Sequence, residues 1–290
     1  MHPTAVMAVE GPESTEIHPC VEARALGARR GRSFIMVVAV STIAACSPAN
    51  EVGDATLRMA DADTADWLTH GRTYSEQRHS PLRQINDTSV TRLGLAWSVD
   101  MQTLHGLEAT PLVKDGVMYL TSTWSVVYAL DARTGAIRWR YDPAAPKDHD
   151  KFMCCGVVNR GVALYRGRVY VGTMDGRIVA LDERSGKPVW TAQTTPVDSP
   201  YSITGAPRIA AGRVIIGNAG SEYAVRGYVS AYDAMTGALA WRTYMVPGDH
   251  PGRSNRKRCA ERQPRGRASG GKAAAARARG TRSSTTRIST

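Results

Sequence analysis

Residues 129–139 read Ala-Leu-Asp-Ala-Arg-Thr-Gly-Ala-Ile-Arg-Trp, and the chain repeats this pattern twice. Residues 180–190 read Ala-Leu-Asp-Glu-Arg-Ser-Gly-Lys-Pro-Val-Trp, and residues 231–241 read Ala-Tyr-Asp-Ala-Met-Thr-Gly-Ala-Leu-Ala-Trp. The closing tryptophans stand at positions 139, 190 and 241, so the repeat length is 51 residues. A fixed period close to this length is typical of propeller or solenoid arrays. The sequence therefore predicts an all-β propeller of four-stranded antiparallel blades.

The eleven-residue unit itself favours a blade. An apolar strand is expected to end at the Asp, and Asp-x-x-Thr/Ser-Gly is expected to turn the chain into the next strand. The Asp and Thr/Ser side chains can bond nearby backbone amides, while Gly tolerates positive φ. An indole at the same place in each repeat suits a wedge between blades, with its N–H free to reach a neighbouring carbonyl. The alternative is three unrelated hairpins with core tryptophans, which the equal spacing disfavours.

Apolar runs predict the other strands of the propeller. Leu93–Val99 is expected to be a short strand, and Asp175-Gly176 is expected to be a two-residue hairpin turn. In the third repeat the corresponding connection grows to residues 218–226, and an insertion against a regular background is a place to look for function. The predicted strand pairs are Val117–Leu120 with Val126–Leu130, Val169–Gly172 with Ile178–Leu181, and Val214–Gly217 with Gly227–Tyr232.

The formal net charge of +11 is confined to the end of the chain. Residues 252–290 hold 12 Lys or Arg and one acidic residue, Glu261, while the preceding residues hold 25 charges of each sign. The balance excludes a nucleic-acid-binding propeller domain. Residues 251–290 are predicted to be a disordered basic tail. That tail is either an arm for phosphates or anionic lipid, or a segment without a selected role, such as the product of a reading-frame shift.

Residues 1–46 are predicted to be an export signal. Several arginines precede an apolar run of twelve residues, 34–45, which is too short to span a bilayer but suits a signal peptide. The run ends Ile43-Ala44-Ala45-Cys46, which is similar to a bacterial lipoprotein cleavage box with Cys46 as the lipidated residue. Plain cleaved secretion and a buried core segment are the alternatives. Residues 47–63 are expected to be a flexible polar tether, and residues 64–250 a partial propeller.

Cys154 and Cys155 are adjacent in the sequence. Adjacent cysteines can close only a strained eight-membered disulfide ring, because ordinary disulfides span larger Cα separations. Such a bond would persist in an exported protein. Two buried free thiols are the alternative.

Residues 66–249 resemble the N-terminal part of the quinoprotein alcohol dehydrogenases, the methanol/ethanol family that uses pyrroloquinoline quinone (PQQ). The resemblance rests on the 51-residue repeats and on five stretches that together are highly specific. These stretches are Gly71-Arg72-Thr73-Tyr74-Ser75-Glu76-Gln77-Arg78, Gly106-Leu107-Glu108-Ala109-Thr110-Pro111-Leu112, Cys154-Cys155-Gly156-Val157-Val158-Asn159-Arg160-Gly161, Ile203-Thr204-Gly205-Ala206-Pro207 and Gly220-Ser221-Glu222-Tyr223.

The resemblance implies a role for eight residues. A Cys154–Cys155 disulfide would pack on one face of the planar quinone. Glu222 would bind Ca²⁺, a hard cation that takes oxygen ligands and polarises the quinone carbonyl. Without the resemblance, Glu108, Arg160, Thr204 and Glu222 would each be read as an ordinary polar residue of a loop or surface. The residues implied to contact the carboxylates and carbonyls of PQQ are Glu108, Arg160 and Thr204, with the Gly220 and Ser221 backbone nearby.

The resemblance also implies what this chain would lack. Family members close eight blades, whereas residues 64–250 supply three to four. The catalytic Asp base, further Ca²⁺ ligands and a Trp that stacks on PQQ lie downstream in the family, and no matching stretch appears here. The implied activity is oxidation of an alcohol to the aldehyde, with electrons passed to a cytochrome c in the periplasm. This polypeptide is expected to be a truncated fragment that is poorly stable and inactive alone.

A non-catalytic propeller lipoprotein, acting as an assembly scaffold at the outer membrane, is the competing interpretation. It would share the lipoprotein signal and the repeats. However, a scaffold has no reason to keep Glu108, the cysteine pair and Glu222 together, so these residues favour the dehydrogenase.

Overall fold

The computed structural model describes residues 51–247, together with the backbone of residues 4–7. The predicted lipidation site Cys46, almost all of the predicted export signal and the basic tail after residue 250 lie outside the described residues. Their assignments therefore stay predictions. Among the described residues, no helix is both long enough and apolar enough to cross a membrane.

Three four-stranded antiparallel sheets follow one another along the chain, and each sheet keeps its strands in sequence order. A two-stranded sheet precedes them, formed by β1 (Thr4–Met7) and β2 (Trp97–Asp100), and one short helix, α1, spans Asp54–Arg58. Blade one contains β3 (Leu112–Lys114), β4 (Val117–Thr121), β5 (Val127–Asp131) and β6 (Ile137–Tyr141). Blade two contains β7 (Ala163–Tyr165), β8 (Arg168–Gly172), β9 (Arg177–Asp182) and β10 (Pro188–Gln193). Blade three contains β11 (Arg208–Ala210), β12 (Arg213–Gly217), β13 (Tyr228–Asp233) and β14 (Leu239–Tyr244). Short 3-10 helices span Val90–Arg92, Thr123–Ser125, Lys147–Phe152 and Ser221–Tyr223.

The predicted partial propeller is confirmed, and each predicted strand pair is present as β4–β5, β8–β9 and β12–β13. Two details differ from the prediction. The strand expected from Leu93 begins only at Trp97. The hairpin after Gly172 uses four connecting residues rather than two: the Thr173 carbonyl accepts the Gly176 N–H at 2.9 Å, and of the Asp175-Gly176 pair only Gly176 has positive φ. A two-residue type I′ turn requires positive φ at both residues, which Asp175 does not adopt.

The Asp-x-x-Thr/Ser-Gly turns form as the sequence predicts. Asp131 Oδ1 accepts hydrogen bonds from the Arg133 N–H at 3.1 Å and from the Thr134 N–H at 3.0 Å. Asp233 accepts the equivalent bonds from the Met235 and Thr236 N–H groups, and Asp182 accepts from the N–H and the hydroxyl of Ser185. The glycine that closes each turn has a φ between +68° and +74°. Hydrogen bonding, first from the Arg138 guanidinium and then from Thr134, lowers the pKa of Asp131 to about 2.

Tryptophans join neighbouring blades in the predicted way. The Trp139 indole N–H donates to the Glu183 carbonyl of blade two at 3.0 Å, and Trp190 donates to the Ala234 carbonyl of blade three at 3.1 Å. Trp97, which precedes blade one, makes the equivalent bond to the Ala132 carbonyl of that blade at 3.1 Å, although its position does not follow the 51-residue interval. Each indole lies flat against the glycine of the receiving turn. Trp241 is 44 % exposed, because no further blade follows among the described residues.

The segment expected to be a polar tether is folded where the structure describes it. In residues 51–63, Val52 and Leu57 are buried in the main hydrophobic core. Asp54 accepts hydrogen bonds from the Tyr165 hydroxyl of blade two at 3.1 Å and from the Gly212 N–H of blade three at 3.3 Å. The apolar side chains are few and separated, so the polar composition of the segment hid them. The segment thus fastens two blades together.

Candidate functional site

The candidate residues lie in the loops at one end of the propeller. In a blade whose four strands alternate in direction, the loop between its second and third strands and the loop to the next blade leave the same end. The Cys154 and Arg160 segment connects blade one to blade two, and the Thr204 segment connects blade two to blade three. The predicted insertion, residues 218–226, joins β12 and β13. The topology alone therefore gathers these segments.

Arg160 is the centre of the first cluster that the structure forms. Its guanidinium lies 2.7 Å from a Glu108 carboxylate oxygen and donates to the Thr204 hydroxyl at 2.7 Å. Its backbone N–H donates to the Thr204 carbonyl at 2.9 Å, and its carbonyl accepts the Thr110 N–H at 3.3 Å. Loops that precede all three blades thus meet at one arginine, which unites three of the predicted site residues.

A cavity of about 590 Å³ opens beside this arginine. Arg160 and Thr204 line one part of it, and His70, Glu76 and Arg208 line another. The Arg208 guanidinium pairs with the Glu76 carboxylate at 2.6 Å and thereby lowers the pKa of Glu76. Burial, followed by the charges of Arg208 and Arg78, lowers the pKa of His70. Both arginines on the cavity wall are therefore paired, Arg160 with Glu108 and Arg208 with Glu76.

The cysteine pair departs from both sequence interpretations. Cys154 and Cys155 are free thiols with their sulfurs 2.7 Å apart, so the predicted disulfide is not formed in this structure. Closing it requires an oxidant, and the bond stays a prediction. The thiols are exposed rather than buried, because the loop that carries them lies at the end of the propeller.

Glu222 joins the cysteines in a second cluster. Its carboxylate accepts hydrogen bonds from the Cys154 thiol and, at 3.3 Å, from the Ser221 hydroxyl. The hydrogen bond with Cys155, followed by that with Glu222, raises the pKa of Cys154 to about 12. The pKa of Glu222 is lowered, first by a backbone hydrogen bond and then by Cys154. Cys154 is therefore a thiol at neutral pH in this arrangement, and Glu222 is ionised.

Contacts between two loops hold this second cluster in place. The Tyr223 hydroxyl of the insertion donates to the Lys151 carbonyl at 3.1 Å, and its ring meets Phe152 edge-on at 5.8 Å between centroids. Gly220 has a φ of +105°, and a Cβ there would lie 2.5 Å from the Pro200 carbonyl oxygen. The insertion that the sequence marked as irregular thus packs against the cysteine loop through Tyr223 and against the loop before blade three at Gly220.

Sequence reasoning assigned no role to one residue of the site, Asn159, and it proposed only one ligand for the metal ion. Asn159 is buried and makes three side-chain hydrogen bonds next to Arg160. Its signal in the sequence was its place in the Cys154–Gly161 stretch, where it follows two valines and precedes Arg160. Within residues 51–247, no three His, Cys, Asp or Glu side chains converge on a point where a metal ion could bind. Glu222 is therefore a single candidate ligand in the described part of the chain.

Comparison with known proteins places these features in a family. The model of the PQQ glucose/ethanol/alcohol dehydrogenase β-propeller domain matches residues 67–270. The chain is 54 % identical to the quinohemoprotein alcohol dehydrogenase ADH IIB of Pseudomonas putida over 218 residues, which is 75 % of this chain and 31 % of that protein. It is 52 % identical to the 1-butanol dehydrogenase (cytochrome c) of Thauera butanivorans over 184 residues, covering 63 % of this chain and 26 % of the relative.

Solved structures give the same picture. The quinohemoprotein alcohol dehydrogenase of Comamonas testosteroni superimposes with a TM-score of 0.69 at 50 % identity, covering 72 % of this chain and 32 % of that one. A europium-containing methanol dehydrogenase superimposes with a TM-score of 0.63 at 39 % identity, covering 66 % and 34 %. The chain thus spans roughly a third or less of the length of each of these relatives.

Proposed function

Because this chain belongs to the PQQ-dependent alcohol dehydrogenase β-propeller family, we propose that it supplies part of the PQQ site of an enzyme that oxidises an alcohol to the aldehyde. The observation that carries the proposal is the arrangement of Arg160 between Glu108 and Thr204 on the wall of the 590 Å³ cavity.

The donors on this wall fit PQQ, a planar molecule that carries carboxylates. A guanidinium presents N–H groups in one plane and binds carboxylates through two parallel hydrogen bonds. Arg160 uses one terminal nitrogen for Thr204 and the other for Glu108, and each nitrogen retains a further hydrogen to donate. Glu108, in turn, holds the guanidinium in one orientation. The chain's own residues therefore provide a preorganised carboxylate receptor.

The second cluster would complete the chain's share of the site. When bound, PQQ supplies the redox chemistry, and the protein supplies binding and orientation. Cys154 and Cys155 would pack against the cofactor, after oxidation to the disulfide that the resemblance implies. Glu222 would hold Ca²⁺ through its ionised carboxylate. Oxidation of Cys154 would remove the S–H group that now donates to this carboxylate, which would leave the carboxylate available to the metal ion. The backbone of Gly220 and Ser221, which precedes Glu222 in the chain, would lie near the cofactor.

The wider function follows from the relatives and is proposed for the enzyme to which this part belongs. A small alcohol would be the substrate, and a cytochrome c would accept the electrons, as the name of the Thauera relative states for that protein. The enzyme would work in the periplasm, with a lipid anchor at Cys46. The chain alone would be inactive, because it lacks a stretch that matches the family's catalytic Asp base. Alcohol-dependent dye reduction by the purified chain with PQQ and Ca²⁺ would contradict this.

A PQQ titration tests the proposal directly. The full chain, with Ca²⁺ present, should quench its tryptophan fluorescence on binding PQQ, and Arg160→Ala should weaken binding at least about tenfold, because it removes a charge-assisted receptor. Arg133→Ala is the matched control, since it removes an exposed arginine in a turn at the other end of blade one. Absence of PQQ binding by the unaltered chain, or equal binding by both variants, would refute the proposal. Absence of binding is also what a non-catalytic scaffold predicts.

A further inference from the structure

Asn159 occupies an unusual position directly before the cofactor-binding arginine. The residue is 2 % exposed. Its side-chain NH₂ donates to the Gly172 carbonyl at 2.8 Å and to the Ser125 hydroxyl at 3.1 Å. Its side-chain oxygen accepts the Gly161 N–H at 3.0 Å. A buried amide with donors and acceptor all engaged is a specific structural element, because each lost bond would leave a buried polar group unpaired.

Its partner Ser125 is held in a conformation that is disfavoured for residues with a side chain. Ser125 is fully buried and has a φ of +59°, and the preceding Trp124 has a φ of +61°. Two consecutive residues in the left-handed region persist only where their surroundings hold them. The Ser125 hydroxyl is the common acceptor of the Asn159 NH₂ and of the Met174 N–H, the latter at 3.1 Å. The bend at Trp124 and Ser125 is thus fixed by one bond from the loop before blade two and one from the β8–β9 hairpin of blade two.

The main chain around Asn159 continues this network toward the site. The Thr121 hydroxyl at the end of β4 donates to the Asn159 carbonyl at 3.2 Å. The next residue, Arg160, is bonded through its backbone to Thr204 and to Thr110. Asn159 therefore joins blades one and two directly before Arg160, the residue whose side chain reaches the cavity.

We propose that Asn159 is a positioning residue for PQQ binding: its buried amide fixes the backbone from which the Arg160 guanidinium reaches the cofactor. This inference rests on the proposed function. Among side chains of this size, only that of Asn can donate to Ser125 and Gly172 and also accept from Gly161. Asp would present oxygen to the Gly172 carbonyl in place of a donor, Leu would bond to none of the partners, and Gln would require room for another methylene in a fully packed place.

The test compares Asn159→Asp with Ser230→Ala in the full chain. Ser230 is a fully buried serine of blade three that accepts a bond from Arg242 at 2.7 Å and does not line the cavity. Asn159→Asp should weaken PQQ binding at least tenfold at a temperature where circular dichroism shows the variant to be folded. Ser230→Ala should bind PQQ as the unaltered chain does. Equal affinities for Asn159→Asp and the unaltered chain would overturn the inference.

A double-mutant cycle separates positioning from general loss of stability. If Asn159 acts through Arg160, Asn159→Asp should have little further effect on PQQ affinity in an Arg160→Lys background, although its effect on unfolding should persist. Additive losses of affinity would contradict the inference. Amide hydrogen exchange provides a readout without PQQ: the Arg160 N–H should exchange at least tenfold faster in Asn159→Asp and unchanged in Ser230→Ala. Should the unaltered chain not bind PQQ, the proposed function fails, and the exchange rate alone decides whether Asn159 positions Arg160.

Discussion

Replacing Trp190 by Ala tests how the blades are held together. Its indole packs against the glycine of the next turn, where a Cβ at Gly237 would lie 2.7 Å from the ring. It also donates to the Ala234 carbonyl at 3.1 Å and contacts the Tyr170 ring at 5.9 Å between centroids. Trp241 occupies the equivalent place in blade three. It is 44 % exposed, because no further blade follows it among the described residues. The two tryptophans therefore form a matched pair in one chain.

The structure sets different magnitudes for the two substitutions. Truncating a buried Trp to Ala costs about 3–5 kcal/mol of the free energy of unfolding. Trp190 is only partly buried, so we expect about 3 kcal/mol for Trp190→Ala. Within residues 51–247, Trp241 has no following blade to pack against, so Trp241→Ala should cost less than about 1 kcal/mol. For a domain of this size, 1 kcal/mol corresponds to about 2–4 °C in Tm, so Trp190→Ala should lower Tm by about 6–12 °C.

Thermal and urea unfolding, followed by far-ultraviolet circular dichroism, measure both effects on the purified chain. Equal losses for Trp190→Ala and Trp241→Ala would refute the reasoning, because they would mean that something covers Trp241 or that the wedge contributes nothing. A loss below 1 kcal/mol for Trp190→Ala would refute it as well.

Two further predictions concern the repeated turn. Asp131 has a pKa of about 2, below its value of about 3.9 in an unfolded chain, so its stabilisation is complete above pH 4 and disappears as the pH falls through 2. Urea unfolding of Asp131→Asn from pH 5 to 2 should therefore lose less stability than the unaltered chain, and parallel profiles would contradict this. Gly186→Ala should cost at least about 2 kcal/mol in the same assay, because its Cβ would lie 2.5 Å from the Trp139 ring at a φ of +68°. Gly94→Ala, with no atom near the added Cβ, is the control, and equal losses would disprove the predicted clash.

The elements that sequence reasoning predicted are those specified by short-range chemistry. The turn at Asp131 is closed by bonds to residues two and three positions away, so its pattern can be read locally. The period then places each indole beside a neighbouring blade. It does not identify the acceptor, which proves in each case to be the residue after the Asp, such as Glu183 for Trp139.

The features that sequence reasoning missed depend on contacts between distant parts of the chain. Asp54 bonds to Tyr165 and Gly212, each more than a hundred residues away, and the polar residues around Asp54 look like those of an unstructured linker. Asn159 meets Ser125 only after two blades have docked. A serine rarely adopts the left-handed conformation by itself, so its sequence gives no sign of the positive φ of Ser125. Contacts with distant parts of the chain impose that conformation.

If Arg160 binds PQQ as proposed, its position couples cofactor binding to blade docking. Its backbone joins the loop before blade one, through Thr110, to the loop before blade three, through Thr204. The arrangement around Arg160 therefore depends on three consecutive blades keeping their relative angle. That angle is set by the Trp139 and Trp190 wedges, which bond to turns at the opposite end of the blades. Because each blade contacts chiefly its neighbours, loss of one tryptophan contact should first change the angle between the two blades that it joins, and only then the rest of the array. The repeats that establish the fold are thus also what brings the three site segments to one arginine.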